Sequence, residues 1–281
     1  MKVLLTGANG QLGRCFQDRL PADWQMLATD STELDITDLA QVTATVSAFK
    51  PNAIVNAAAY TAVDKAESEV AVAKRINAVG PANLASVATQ HGIRLVHVST
   101  DYVFNGNAST PYTEESPTNP LSMYGITKLA GERAVSATAP EAIIVRTAWV
   151  FSEYGNNFVK TMLRLGKERD ALSIVDDQRG CPTYAGDLAQ AIIALLQQKA
   201  AGGIYHYSGD KEVSWFEFAQ AIFTVAVQKA VLSKVPTLTP ITTAQYPTPA
   251  HRPAYSTLAA DKIKALGITL SDWQSALNKT I

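Results

Sequence analysis

Apolar residues in the first half of the chain fall in short continuous runs, separated by longer stretches whose apolar positions recur at helical spacing. Lys2–Leu5, Trp24–Thr29, Ala53–Ala59, Ile93–Val98 and Ala142–Arg146 read as strands. Runs without polar alternation are what a parallel sheet covered on both faces requires. Between them, Leu12, Cys15, Phe16, Arg19 and Leu20 keep helical spacing up to Pro21, and Asp38–Phe49 reads as a helix broken by Pro51-Asn52. Val63–Gln90 is a long alanine-rich helix, interrupted or restarted at Gly80-Pro81. Asn119-Pro120 offers a cap and a first-turn proline for a helix over Ser122–Val135. Strand alternating with helix predicts an α/β fold, a doubly wound Rossmann-type parallel sheet over residues 1–150.

Beyond residue 150 the rhythm loosens. A helix from Gly155 to about Arg169, a strand at Leu172–Val175, a polar loop over Asp176–Thr183, a helix at Gly186–Gln198 and a strand at Ile204–Tyr207 are expected. Ser214 caps a helix running to Gln228, Pro236–Arg252 is rich in proline and threonine, and Thr257–Leu266 reads as a last short helix. Residues 151–281 are expected to form a smaller, mainly substrate-binding cap, with about 184–207 returning to the sheet.

Composition narrows the partners. The 281 residues carry a net charge of −1, without the basic excess that tracks along nucleic acid or the Lys/Arg block that seeks an anionic membrane. No apolar stretch has the length of a membrane span, and the N-terminal run is too short for a signal-peptide core. Cys15 and Cys181 have no metal-ligand spacing and suit a reducing cytoplasm as buried thiols. The expectation is a cytoplasmic protein acting on a small molecule, with no nucleic acid, membrane or metal partner, and with homodimer formation left open.

Candidate chemistry gathers where strands end. After the first strand comes Thr6-Gly7-Ala8-Asn9-Gly10-Gln11-Leu12-Gly13, a GxxGxxG turn leading into a helix. Glycines at 7 and 10 let the backbone turn and approach a pyrophosphate, and Gly13 lets the helix lie close to the strand. A glycine-rich turn can also be only a turn. Asp30, at the end of the second strand, stands where an acidic side chain hydrogen-bonds a ribose, or where a loop simply needs a cap. The alanines at 57–59 suit either close passage of a cofactor or tight packing. Asn77 is a polar residue inside a helix, solvated or able to order a water near the site.

The fourth strand delivers Ser99, Thr100 and Asp101 to its carboxyl edge, and Tyr124 and Lys128 lie four apart on the following helix, on one face. A phenol, an ammonium and a hydroxyl can pass a proton to a carbonyl oxygen as it becomes an alcohol. The Lys128 charge is expected to bring the Tyr124 pKa down towards the working pH, and Thr100 to polarise the same oxygen. A Tyr-x-x-x-Lys pair alone is commonly a surface feature; beside a dinucleotide turn and a strand-end Ser-Thr it is a much rarer combination.

With LLTGANGQLGR, IVNAAAYTAVDKAE, VHVSTDYVFNG, YGITKLAGE, RTAWVFSEYGNNFVKTMLRL, DDQRGCPT and YPTPAHRP, the chain resembles the extended short-chain dehydrogenase/reductases, within them the 4-keto-sugar reductase branch, over residues 1 to about 255. The resemblance implies reduction of the 4-keto group of dTDP-4-dehydro-L-rhamnose to dTDP-L-rhamnose with NADPH or NADH, for cell-surface polysaccharide. It implies Tyr124 as proton donor, Lys128 as its electrostatic partner and Thr100 as the third catalytic hydroxyl. Gly10, Gln11 and Leu12 would meet the pyrophosphate, Asp30 the ribose, Asp35 and Ile36 the adenine, and Ala59, Tyr60 and Thr61 the rest of the cofactor. Thr100, Asp101 and Trp149 would contact the sugar, and Arg252 the substrate diphosphate, although an Arg there can also cap the fold.

The resemblance associates Mg²⁺ with some members, but hydride transfer needs none and the chain has no dense carboxylate cluster; Asp176-Asp177 reads as loop. Two other readings remain. A 4-epimerase or dehydratase shares Tyr-x-x-x-Lys, but dehydratases commonly have Asp-Glu after the Ser/Thr, where this chain has Asp101-Tyr102. A non-catalytic NAD(P)-binding regulatory subunit would tend to lose Tyr or Lys, and both are present. Asp30 favours a free ribose 2′-hydroxyl and Arg14 can accept a 2′-phosphate, so the choice between NADH and NADPH stays open.

Overall fold

In a computed structural model describing residues 1–281, the five apolar runs of the first half lie side by side in one parallel sheet. The chain begins β1 (Lys2–Thr6), α1 (Gln11–Gln17), β2 (Gln25–Thr29), α2 (Leu39–Phe49) and β3 (Ala53–Asn56). It continues through α3 (Val70–Lys74), a π turn at Arg75–Val79, α4 (Gly80–His91), β4 (Arg94–Thr100), α5 (Met123–Thr138) and β5 (Ile143–Thr147). The second half adds β6 (Val150–Phe151), α6 (Phe158–Glu168), β7 (Ala171–Val175), β8 (Arg179–Gly180), β9 (Thr183–Tyr184), α7 (Ala185–Gln197) and β10 (Gly203–His206). Last come β11 (Val213–Ser214), α8 (Trp215–Gln228), β12 (Thr237–Ile241), α9 (Asp261–Lys264) and α10 (Trp273–Thr280).

The main sheet has six strands in the order β10-β5-β4-β3-β1-β2, all parallel. The chain reverses its direction of growth between β1 and β3, and the crevice at their carboxyl ends is where an open α/β sheet binds ligands. One sheet face is covered by α1 and α7, through Leu12, Phe16, Leu188 and Ile192. The other is covered by α2, α4 and α5, through Val42, Val46, Leu84, Val87 and Val135. A separate aromatic core in the second half joins Phe151, Met162, Phe218, Phe223 and Trp273.

Several boundaries differ from the sequence reading, each for a local reason. The third strand stops at Asn56, because the Asn56 side chain accepts from Thr6 Oγ1 and from the Ala58 amide and turns the backbone. The long helix begins at Val70, and its break is the π turn ahead of Pro81, which sits in the first turn of α4. Ser122, rather than Asn119, caps α5, accepting from the Gly125 amide at 3.2 Å. Pro236–Arg252 contains a true strand, β12, paired in parallel with β7 despite Pro240. Proline is tolerated there because the β7–β12 sheet has only two strands, so both are edges. The last predicted helix shrinks to α9, and an unpredicted one, α10, follows Asp272, whose side chain caps it. No helix is long and apolar enough to cross a membrane.

Candidate active site

The glycine turn is built by close approach. Gly7 has φ +72°, and a Cβ there would lie 2.6 Å from the Ala58 amide nitrogen. One at Gly13 would lie 2.2 Å from the Gly7 carbonyl oxygen. Gly7 and Gly13 are therefore packing requirements that bring β1, α1 and the β3 end together. Gly10 is different: a Cβ there would touch only Gly7 O, at 3.3 Å, so its outer side is open. That open backbone is the cradle a pyrophosphate needs.

The predicted cofactor residues ring this turn. Asp30 reaches back to it, accepting from the Asn9 amide (3.1 Å) and from Ser31 N (2.7 Å). Asp35 accepts from Thr37 N, and hydrogen bonds from Thr37 hold its carboxyl below the usual range. Ile36 is buried, and its carbonyl accepts from Asn83. Leu12 is buried at the start of α1, and the Gln11 side chain accepts from Ser152 and Asn157, tying the turn to the second half. Ala59, Tyr60 and Thr61 follow β3. The Tyr60 backbone is gripped at both polar atoms by Asn77, whose Oδ1 accepts from Tyr60 N (2.8 Å) and whose Nδ2 donates to Tyr60 O (3.0 Å). Asn77 thus fixes the loop that follows β3 directly.

Across the crevice, β4 and α5 carry the proton-handling groups. Thr100 is buried at the end of β4; its hydroxyl donates to Asp101 Oδ1 (2.9 Å) and lies against the Tyr124 phenol. Lys128 is buried, its ammonium donating to the Val98 carbonyl at 2.7 Å. Burial pulls the Lys128 pKa down to about 8, with the Glu132 charge opposing. Tyr124 departs from expectation. Burial, opposed by the Thr100 hydrogen bond and aided by the Asp101 charge, pushes its pKa up to about 12. Burial dominates, and the Lys128 ammonium is directed at a backbone carbonyl. Tyr124 is held as a neutral phenol, the state a proton donor must be in.

Asp101 is 2% exposed, and its Oδ2 has no hydrogen-bond partner. Burial, offset chiefly by the hydrogen bond from Thr100, raises its pKa to about 6. Tyr102 packs edge-on against Tyr124, ring centroids 5.4 Å apart at 77°. Trp149 adopts φ +49°, a conformation uncommon for a bulky side chain and concentrated at functional sites, and stacks on Trp215 at 3.5 Å and 5°. The structure therefore brings Thr100, Asp101, Tyr124 and Lys128 together at the sheet edge. Arg252 differs from expectation: its guanidinium is already ion-paired, with Asp64, at 2.8 and 3.0 Å.

Three groups escaped the sequence reading. Glu132 forms a bidentate pair with Arg146 at 2.9 and 2.7 Å, both side chains 3% exposed. Glu132 lies eight residues after Tyr124 on the same helix, so spacing alone could have placed it on the Tyr124–Lys128 face. Glu67 accepts from the Met123 amide next to Tyr124, and Asp64 holds Arg252; both are long-range contacts with no local signal. No group of three or more His, Cys, Asp or Glu side chains is arranged to hold a metal ion. Asp176 and Asp177 instead accept from Ser214 and Thr243.

Comparison with known proteins identifies the family and the fold. The family model described as the RmlD substrate binding domain matches residues 1–281. The chain is 50% identical over 284 residues to the dTDP-4-dehydrorhamnose reductase of Aggregatibacter actinomycetemcomitans, covering 98% of this chain and 97% of the relative. A solved dTDP-4-dehydrorhamnose reductase from Clostridium acetobutylicum superposes with a TM-score of 0.94 at 43% identity, covering 100% of this chain and 98% of the other. The Bacillus anthracis enzyme of the same name, solved in complex with NADP, gives 0.94 at 40% identity, covering 99% and 98%.

Proposed function

The chain belongs to the RmlD substrate binding domain family, and on that premise we propose that it is an NAD(P)H-dependent dTDP-4-dehydrorhamnose reductase, reducing the 4-keto group of dTDP-4-dehydro-L-rhamnose to give dTDP-L-rhamnose. The single observation that carries the reading is the meeting of a neutral phenol, a buried ammonium and a hydroxyl at the carboxyl edge of β4, across from the glycine turn.

When bound, the nicotinamide supplies a hydride to the carbonyl carbon. The chain's own residues do the rest. The open side of Gly10 and the Asn77-held backbone at Tyr60 seat the dinucleotide, with Asp30 at the ribose and Asp35 and Ile36 at the adenine. Thr100 turns its single O–H from Asp101 Oδ1 towards the substrate carbonyl oxygen, polarising it, and Tyr124 delivers its proton to that oxygen as negative charge develops. Lys128 keeps a positive charge beside the phenolate left behind. Asp101 and Trp149 face the sugar, Arg252 takes the diphosphate, and residues 151–281 act mainly as the substrate-binding cap.

The position after Asp101 argues against the dehydratase reading, since Tyr102 lies edge-on to Tyr124 there and supplies no second carboxylate. Asp30 and Arg14 lie on either side of Asn9, so the ribose end carries both an acceptor for a free hydroxyl and a cation for a 2′-phosphate. We read the enzyme as cytoplasmic. The direct test is consumption of NADPH and of NADH, side by side, with dTDP-4-dehydro-L-rhamnose. Tyr124→Phe is expected to lower kcat by roughly 10²–10⁴-fold while leaving cofactor binding intact. Normal turnover by that variant defeats the mechanism.

A further inference from the structure

Arg252 is held in an unusual way for a residue expected to grip a diphosphate. Asp64 engages it end-on, Oδ1 accepting from one terminal nitrogen (3.0 Å) and Oδ2 from the other (2.8 Å). The first of these nitrogens also donates to Thr248 Oγ1 (2.5 Å) and to the Ala250 carbonyl (3.3 Å), so its hydrogens are used. The Nε–H and the outer hydrogen of the second nitrogen have no protein acceptor. Those two form the side edge of the guanidinium, a planar two-donor fork that matches a pair of phosphate oxygens.

Asp64 does more than neutralise a charge. Its Oδ1 also accepts from the Ala250 amide (3.2 Å), so one carboxylate organises the 248–252 loop around itself with three donors. It stands three residues after Thr61, on the segment that leaves the cofactor side of the crevice. The loop's continuation carries Ser256, whose hydroxyl donates to the Arg179 carbonyl (3.3 Å). Gly106 packs against the Pro253–Ala254 backbone, fixing the loop from its other side. Asp64 therefore holds the end of the Arg252 guanidinium from the segment that follows Thr61.

We propose that Asp64 is a positioning residue for substrate binding: it occupies the end of the Arg252 guanidinium and so presents the free side edge to the diphosphate. The inference rests on the reading of Arg252 as the diphosphate contact. A carboxylate that merely competed for Arg252 would have to be displaced by substrate, whereas one that occupies the adjacent end edge stays in place when substrate binds.

The test uses the full-length enzyme at saturating NADPH, with dTDP-4-dehydro-L-rhamnose as substrate and dTDP as a binding probe. Asp64→Ala is expected to raise KM and the dTDP Kd about tenfold or more, with kcat within about threefold of the parent and NADPH affinity unchanged; Asp64→Glu should restore part of the loss. Arg252→Gln should raise the same two constants, and the double variant should be little worse than either single one, the signature of two residues acting as a unit. If Asp64→Ala leaves or lowers KM while Arg252→Gln raises it, Asp64 is a bystander or a competitor and the inference falls. If Arg252→Gln itself leaves both constants unchanged, the diphosphate reading fails, and the inference with it. Should the alanine variant fold poorly, Asp64→Asn tests the same point, since it removes the charge at constant shape.

Discussion

Two arginine–carboxylate pairs in this chain share a bidentate geometry and differ in almost everything around it. Glu132–Arg146 joins α5 to the centre of the sheet, 3% exposed on each side, with Phe104 over the guanidinium and His206 beside it. Asp64–Arg252 joins two loops at the rim, with the Arg252 side chain 24% and the Asp64 side chain 40% exposed. In the first, solvent is excluded and only His206 stands within reach besides Glu132, so the pair fixes the register of α5 on β5. In the second, water reaches both ends, and one edge of the arginine is left for a ligand. Equal hydrogen-bond lengths therefore say little about role; the difference lies in whether either partner has an alternative.

The largest effect should come from breaking the buried pair on one side only. Glu132→Ala leaves an uncompensated guanidinium in the core and should cost about 3–5 kcal/mol, a fall in Tm on the order of 10 °C by thermal denaturation. Replacing both residues with apolar ones of similar volume should recover most of that loss. If the single variant is as stable as the parent, Arg146 has found a partner the structure does not show, and the contrast between the pairs collapses.

A sharper comparison comes from pH. Lys128 lies one turn from Glu132, and its pKa is drawn from 10.5 to about 8 by burial, against the pull of the Glu132 charge. Reductase activity should fall as pH rises through about 8 and the ammonium is lost. Glu132→Gln removes the opposing charge, so the fall should move to lower pH, whereas Asp64→Asn should leave the profile where it is. The sign for stability is opposite. Between about 8 and 10.5 the unfolded state binds more protons at this lysine than the folded state does, so its contribution to stability rises with pH across that window. Denaturant titrations at both ends of the window would measure this.

The smallest effect is expected at the rim. Asp64→Ala should change unfolding free energy by about 0–1 kcal/mol, and added salt should erase much of that difference. The same salt should leave the cost of Glu132→Ala nearly intact. A rim pair as costly to break as the buried one would mean that the 248–252 loop is part of the core.

The central sheet was legible because continuous apolar runs have few other uses, and because Gly7 and Gly13 mark a close approach that any side chain would block. Thr100, Tyr124 and Lys128 were legible for a related reason, since their spacing is set by one strand end and one helix. What could not be read locally is what lies far apart in sequence. Asp64 and Arg252, Glu67 and Met123, and Gln11 with Asn157 meet only once the chain has folded, and nothing near each residue announces its partner. The direction of the Tyr124 shift belongs to the same class, because it depends on how completely the ring is buried rather than on which cation follows it.

The edge position of β10 has a consequence for synthesis. Residues 1–147 emerge first and can lay down five strands, but β5 then has a bare edge and α1 an uncovered face until α7 and β10 follow, roughly forty to sixty residues later. During translation the nascent chain therefore holds Cys15 and Phe16 exposed beside an unpaired strand, the combination most prone to association between neighbouring chains. A fragment ending near residue 150 keeps that liability permanently. The glycine turn, although encoded entirely in the first thirteen residues, reaches its mature environment only after about three-quarters of the polypeptide has been made.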